Sequence, residues 1–164
     1  MRGEQGLYAD LAALSIAHEV HEHSAVFTVE ESRAIKAAIP GAHTKNLFLK
    51  DAGGAFRLVT VRAEIRVDLK GLPALLTSKR FSFGKAEAME RLIGVTPGSV
   101  TPLAMINAEP GSVHFALDAA LAEAERINVH PLRNTATLGL APGDLMRLMG
   151  EWGHEVTVIN TPTT

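Results

Sequence analysis

Cysteine is absent from the chain, so disulfides, thiolate nucleophiles, iron–sulfur clusters and cysteine-type zinc sites are all excluded. Aromatic residues are scarce, at 5%, with one Trp, one Tyr and six Phe. No apolar run approaches the roughly 20 residues that a bilayer crossing needs, and Met1-Arg2-Gly3-Glu4 opens into an amphipathic segment rather than a signal peptide. A cytoplasmic protein with no membrane partner is expected. Neither sign of charge dominates: sixteen Lys and Arg stand against eighteen Asp and Glu, for a net charge of -2. What is present is apolar residue in quantity, 46% of 164 residues at a mean hydropathy of +0.11. That suffices for one domain, residues 1–164, with a real core and is too little for two.

The near-neutral total hides an uneven distribution. Residues 1–31 carry Arg2 alone against Glu4, Asp10, Glu19, Glu22, Glu30 and Glu31, a net of about -5. Residues 57–91 carry Arg57, Arg62, Arg66, Lys70, Lys79, Arg80, Lys85 and Arg91 against four acids, a net of about +4. Such an excess is either a solvated surface or a local anion-binding face.

Apolar spacing predicts a first helix through Leu7, Leu11 and Leu14. Thr28-Val29-Glu30-Glu31 fits a capping box that opens a second helix running to Ile39, and Pro40-Gly41 stops it. Residues 46–51 and 56–62, joined by Ala52-Gly53-Gly54, read as a hairpin. Asp68 can cap a helix through Leu69, Leu72, Leu75 and Leu76, and another helix is expected over 85–92. Strands are expected near 100–107, 112–117, 127–129, 135–140 and 154–159, with helices at 118–125 and 142–150. The elements lack a steady βαβ rhythm, which favours an α+β (mixed α/β) fold built on a mixed sheet or partly closed barrel with surrounding helices.

His18-Glu19-Val20-His21-Glu22-His23 misses the zincin pattern by one residue, because its first two histidines are three apart rather than four. Its plain reading is an exposed helix exit leading into a strand, and no metal site is expected. Residues 94–102, Gly-Val-Thr-Pro-Gly-Ser-Val-Thr-Pro, form a rigid loop whose backbone can approach a ligand closely at Gly98. The loop lacks both the Lys-Ser/Thr ending of a Walker loop and GxGxxG, so nucleoside triphosphate binding is not expected. Lys45 at a strand entrance and His130 in a polar loop are, taken singly, ordinary surface residues.

Together and in order, several segments resemble one family across residues 7–160. They are Thr28-Val29-Glu30-Glu31, His43 through Asp51, Val67-Asp68-Leu69-Lys70, Gly94 through Val100, Asn128-Val129-His130-Pro131 with Asn134-Thr135-Ala136-Thr137, and Gly153-His154-Glu155-Val156. The chain resembles the YbaK/ProX family of aminoacyl-tRNA editing domains, and within it the free-standing ProX/PrdX branch. The resemblance implies a fold like that of the YbaK and prolyl-tRNA synthetase editing domains, and editing in trans. It implies hydrolysis of a mischarged small amino acid, alanine in the branch it resembles, from proline tRNA, without a cofactor. The partners implied are the acceptor end of aminoacylated proline tRNA and, secondarily, prolyl-tRNA synthetase. Lys45 matches the family's Lys after the second helix, Gly98 through Pro102 its Gly-x-x-x-Pro loop, and His130 its late histidine.

That reaction needs an attacking water, stabilisation of a developing oxyanion and placement of a polyanionic substrate. Without cysteine or a Ser/His/Asp order, direct attack by water is favoured over a covalent intermediate. Lys45, Gly98, Ser99 and His130 are the expected catalytic set, with Lys45 anchoring a terminal phosphate. Ile39, Asn46, Pro102 and Asn134 are expected to shape the substrate pocket, and Lys79, Arg80 and Lys85 to follow the acceptor stem with Lys45. The same fold acting on Cys- or Ser-charged tRNA, a non-catalytic module that binds tRNA or synthetase, and a metalloenzyme resting on His18, His21 and His23 are the alternatives.

Overall fold

A computed structural model describes residues 1–26 and 28–164. Its centre is a strand of unusual length, β2 (Ala42–Asp51), hairpinned to β3 (Phe56–Arg62) through the expected tight turn. Asp51 closes the turn, its Oδ1 accepting from the amides of Gly53 and Ala55 at 2.9 Å each. Leu58, Val59, Thr60 and Val61 are all buried, as a strand covered on both faces requires.

The sheet is mixed, in the order β1 (His18–Glu22), β7 (Ala136–Leu140), β6 (Ile127–Val129), β2, β3, β5 (Val113–Asp118), β8 (Val156–Ile159). Its β2–β6, β3–β5 and β5–β8 pairs are parallel and its other pairs antiparallel. The free edge of β2 is shared: β6 pairs Ala42 and His43 at one end, while the short β4 (Phe81–Phe83) pairs Leu49, Lys50 and Asp51 at the other. Between them, strand β2 is open to whatever lies beside it.

One face of the sheet carries the main core. Leu7 and Leu11 of α1 (Glu4–Ala13), Met89 and Ile93 of α4 (Ala86–Ile93), and Leu145, Leu148 and Met149 of α6 (Pro142–Glu151) pack there with Phe115 and Leu117. Each such side chain is worth about 1.5–3 kcal/mol on burial. The opposite face holds a smaller cluster, Leu49, Val59 and Val61 beneath Leu72 and Leu76. Leu72 belongs to α3 (Leu72–Leu75); the remaining helices are α2 (Val29–Ala38) and α5 (Ala119–Ala122).

Three expectations are corrected. Residues 102–107 form a 3-10 helix rather than part of a strand, because Pro102 sits at its first position and the Thr101 hydroxyl accepts from Leu103 N at 3.2 Å. The helix assigned from Asp68 starts only at Leu72; Asp68 instead closes a turn by accepting from the amides of Lys70 and Gly71. His18 and His21 lie on strand β1, not on a helix, and three residues apart on a strand they face opposite sides. Strand β4 has no counterpart in the sequence reading.

Candidate functional site

Where β2 emerges between β6 and β4, a cleft of about 300 Å³ opens against helix α2. Helix α2 starts at the Thr28 cap, whose hydroxyl accepts from Glu31 N at 3.1 Å, one half of the expected box. Ser32, Ile35 and Lys36, three and four residues apart on one helical face, form that wall of the cleft. The far end of the helix is tied twice. The Ile39 carbonyl accepts from His43 Nε2 at 2.9 Å, and the Pro40 carbonyl accepts from Asn128 Nδ2 at 3.0 Å.

Lys45, Asn46 and His130 meet in this cleft. The Lys45 ammonium donates to the Ile65 carbonyl, which holds the charge at the wall. Asn46 is locked by Thr60, whose hydroxyl donates to Oδ1 at 2.6 Å, and its Nδ2 donates to the Val100 carbonyl at 3.0 Å. That bond draws the 98–102 loop to the cleft, and the Thr101 hydroxyl completes the connection by donating to the His130 carbonyl at 2.6 Å. Two bonds spanning 54 and 29 residues thereby join three segments into one frame.

His130 Nδ1 lies 3.2 Å from the Ala136 carbonyl. A carbonyl only accepts, so Nδ1 carries the proton and the neutral ring keeps a lone pair on Nε2. Burial holds this imidazole below the ordinary histidine value, the Ala136 carbonyl opposes the shift, and charge on His23 adds to it. His130 is therefore a neutral acceptor near pH 7. His23 is held in place at both ring nitrogens, Nδ1 donating to the Ser24 carbonyl and Nε2 hydrogen-bonding the Thr137 hydroxyl, both at 2.9 Å. All the ionisable groups lining the cleft are bases, His23, Lys36, His43, Lys45 and His130, an environment suited to an anion.

A family model described as the aminoacyl-tRNA editing domain matches residues 23–148. The chain belongs to the aminoacyl-tRNA editing domain family. It is 40% identical over 155 residues to prolyl-tRNA synthetase associated domain-containing protein 1 of Bos taurus, covering 92% of this chain and 90% of that one. It is 31% identical over 160 residues to the prolyl-tRNA editing protein ProX of Acetoanaerobium sticklandii, covering 97% and 98%. Among solved structures, a candidate trans-editing enzyme for prolyl tRNA synthetase superposes with a TM-score of 0.75 over 100% of this chain and 99% of that one; at 20% identity the likeness concerns the fold.

Within this editing domain the remaining expected site residues lie around the cleft rather than all in it. Gly98 is exposed and faces Asn134, whose Nδ2 would stand 3.5 Å from a Cβ placed there. The Ser99 amide already donates to the Thr96 carbonyl at 2.9 Å, and Pro102 is buried beneath the loop. Ile39 is buried and does not line the cleft; Ile35, one turn earlier, does. Lys79, Arg80 and Lys85 are exposed around β4, on the edge of β2 that the cleft also occupies.

Sequence reasoning passed over His43, Thr137 and Ser32 as cleft residues and read His23 only as part of a metal cluster. Among the described residues no group of three His, Cys, Asp or Glu could hold a metal ion. The cluster disperses: His18 stacks on Tyr8 at 6.0 Å, whereas His23 enters the cleft. Arg133 also gains a role, its guanidinium bonding Glu4 at 2.7 Å and both carboxylate oxygens of Glu22 at 2.6 and 2.7 Å, so that the 130–135 loop is clamped to α1 and β1. Those bonds hold the Arg133 proton more tightly than usual, with Glu22 the stronger partner.

Proposed function

We propose that this chain acts as a single trans-editing domain, a hydrolase that removes alanine from mischarged proline tRNA in the cytoplasm. The observation that carries this reading is the convergence of Lys45, Asn46 and a neutral His130 on one basic cleft, stitched to the 98–102 loop through Val100 and Thr101. In this reading Lys45 leaves the Ile65 carbonyl to pair with a phosphate of the acceptor end, a charge-assisted contact that fixes the ester. His130 Nε2 accepts a hydrogen bond from an O–H donor, either the attacking water or the ribose hydroxyl beside the ester. The Gly98 backbone meets the developing oxyanion, and Asn46 with Asn134 and the buried Pro102 keeps that loop in place. Water adds to the ester carbonyl, the ribose oxygen leaves with a proton, and free amino acid and tRNA result, a balance that calls for no cofactor.

Rejecting proline, whose ring carries two carbons more than the alanine side chain, is assigned to steric exclusion by the α2 wall and the loop, since contact preference is worth only about 1–3 kcal/mol per methylene. The names of the relatives support proline tRNA as substrate and a prolyl-tRNA synthetase as a further partner. The test is turnover on a panel of Ala-, Ser-, Cys- and Pro-charged proline tRNAs with catalytic amounts of protein. Repeated release of alanine with proline spared is expected. Faster release of serine or cysteine moves the substrate, and protection of the charged tRNA without release replaces the hydrolase with a binding module.

A further inference from the structure

Beyond the cleft, the same edge of β2 carries a second depression of about 330 Å³, bounded by Lys50, Phe56, Phe83, Lys85, Glu87 and Arg91. Phe83 stands at its lip with 61% of its surface exposed, in a chain with only six phenylalanines. Its neighbours are treated differently: Phe56 stacks on Phe48 at 5.4 Å and lies under the Lys50 ammonium, 5.7 Å from the ring centre. Gly84 explains how β4 reaches this position. A Cβ there would stand 2.4 Å from the Phe48 ring, so only glycine lets the chain cross so close to β2, with its amide on the Phe48 carbonyl at 2.8 Å, before Lys85 opens α4.

We infer that Phe83 is a stacking platform for an RNA base, with Lys85 and Arg91 holding the phosphates on either side, and that its occupant is the strand of the tRNA that leads into the cleft. The inference rests on the deacylase reading for the position of the ester. Charge complementarity selects the occupant: Lys50, Lys85 and Arg91 face one carboxylate, Glu87, and among the described residues none of these bases lies in an ion pair. An exposed aromatic ring amid basic side chains suits unstacked bases, which all present a π face. The reach agrees. Asn46 and Lys50 share a face of β2 four residues apart, about 14 Å, the rise of about four stacked nucleotides.

Two measurements on Phe83→Ala, Phe83→Leu and Phe83→Trp test this. The first is anisotropy binding of an uncharged proline acceptor-stem hairpin with its single-stranded 3′ end; the second is kcat/KM on mischarged tRNA compared with 3′-O-alanyl-adenosine, which is too short to reach β4. Binding about tenfold weaker for Ala and Leu, near wild type for Trp, and unchanged turnover of alanyl-adenosine are expected. Wild-type hairpin binding by Phe83→Ala, full rescue by Leu, or an equal loss on the short ester overturns the platform. So does loss of a protein partner with RNA binding intact. If the wild-type protein cleaves neither ester, it is the deacylase reading that fails, and the hairpin measurement still decides whether Phe83 stacks on RNA.

Discussion

At the scale of single residues, the cleft separates a fixed charge, Lys45, from a neutral hydrogen-bond acceptor, His130. Lys45 is half-buried and, among the described residues, its ammonium bonds only a backbone carbonyl, so its side chain contributes little to the core. Lys45→Ala is expected to lower kcat/KM by about ten- to a hundredfold, the worth of a hydrogen bond to a charged group, while Tm stays within a degree or two. Wild-type turnover by this variant removes the anchoring role. His130 makes a prediction about pH. Its folded value lies below the ordinary 6.5, so the unfolded chain binds the proton more readily. The stability it contributes is present above about 6.5 and declines as pH falls through the lower folded value. Activity should fall over the same range as Nε2 gains a proton, giving kcat/KM an acidic limb centred below 6.5 that His130→Asn abolishes along with most of the rate. An acidic limb that persists in His130→Asn assigns the titration to another group.

At the scale of elements, α2 shows what the pattern of residues discloses and what it withholds. The Thr28 cap and the Pro40-Gly41 stop bounded the helix correctly, because both act locally: the Thr28 hydroxyl accepts from an amide three residues on, and Pro40 has no N–H with which to continue the helix. The hairpin of β2 and β3 was legible for the same reason. The cleft-facing side of α2 was not: Ile39 carries the strongest apolar signal at the helix end, yet its burial beside Pro40 excludes it, and the wall falls to Ile35. Residues 102–107 were misread because an apolar run fits strand and helix alike, although Pro102 after Thr101 is a helix-start signal. Two outcomes follow for α2. Thr28→Ala should cost about 1 kcal/mol in denaturant unfolding, the usual worth of a cap, and raise KM for charged tRNA as the wall loosens. Ile35→Ala should leave stability nearly unchanged and raise the kcat/KM of prolyl- relative to alanyl-tRNA by about tenfold, within the range that pocket contacts command. A ratio that does not move places the discrimination elsewhere than in this wall.

At the scale of the whole molecule, the two charged windows of the sequence have opposite fates. Four of the six acids in residues 1–31 are taken up by arginines. Asp10 pairs with Arg2, Glu19 with Arg126, and Glu4 and Glu22 with Arg133, and the Arg133 pairs hold the His130 loop in register with β1. The basic window is not consumed in this way: among the described residues Lys79, Arg80, Lys85 and Arg91 enter no ion pair and stand exposed around β4 and α4. Composition revealed the imbalance, but only the strand order β6-β2-β3, with β4 on the free end of β2, sets the unpaired bases on the same edge as the cleft. A protein of net charge -2 can therefore attract a polyanion to one edge although the rest of the chain is net acidic. The consequence is measurable. Each phosphate neutralised releases counterions, so the logarithm of tRNA affinity falls with the logarithm of salt concentration by about 0.7–0.9 per contact. Replacing Lys79 and Arg80 together by Gln should weaken binding at low salt and flatten that slope by between one and two, because the two side chains lie outside both the cleft and the Phe83 depression. Alanyl-adenosine, which carries no phosphate, should be turned over by this double variant as by the wild type. An unchanged salt slope reduces both residues to ordinary solvated charge and leaves Lys45, Lys85 and Arg91 to account for the electrostatic attraction alone.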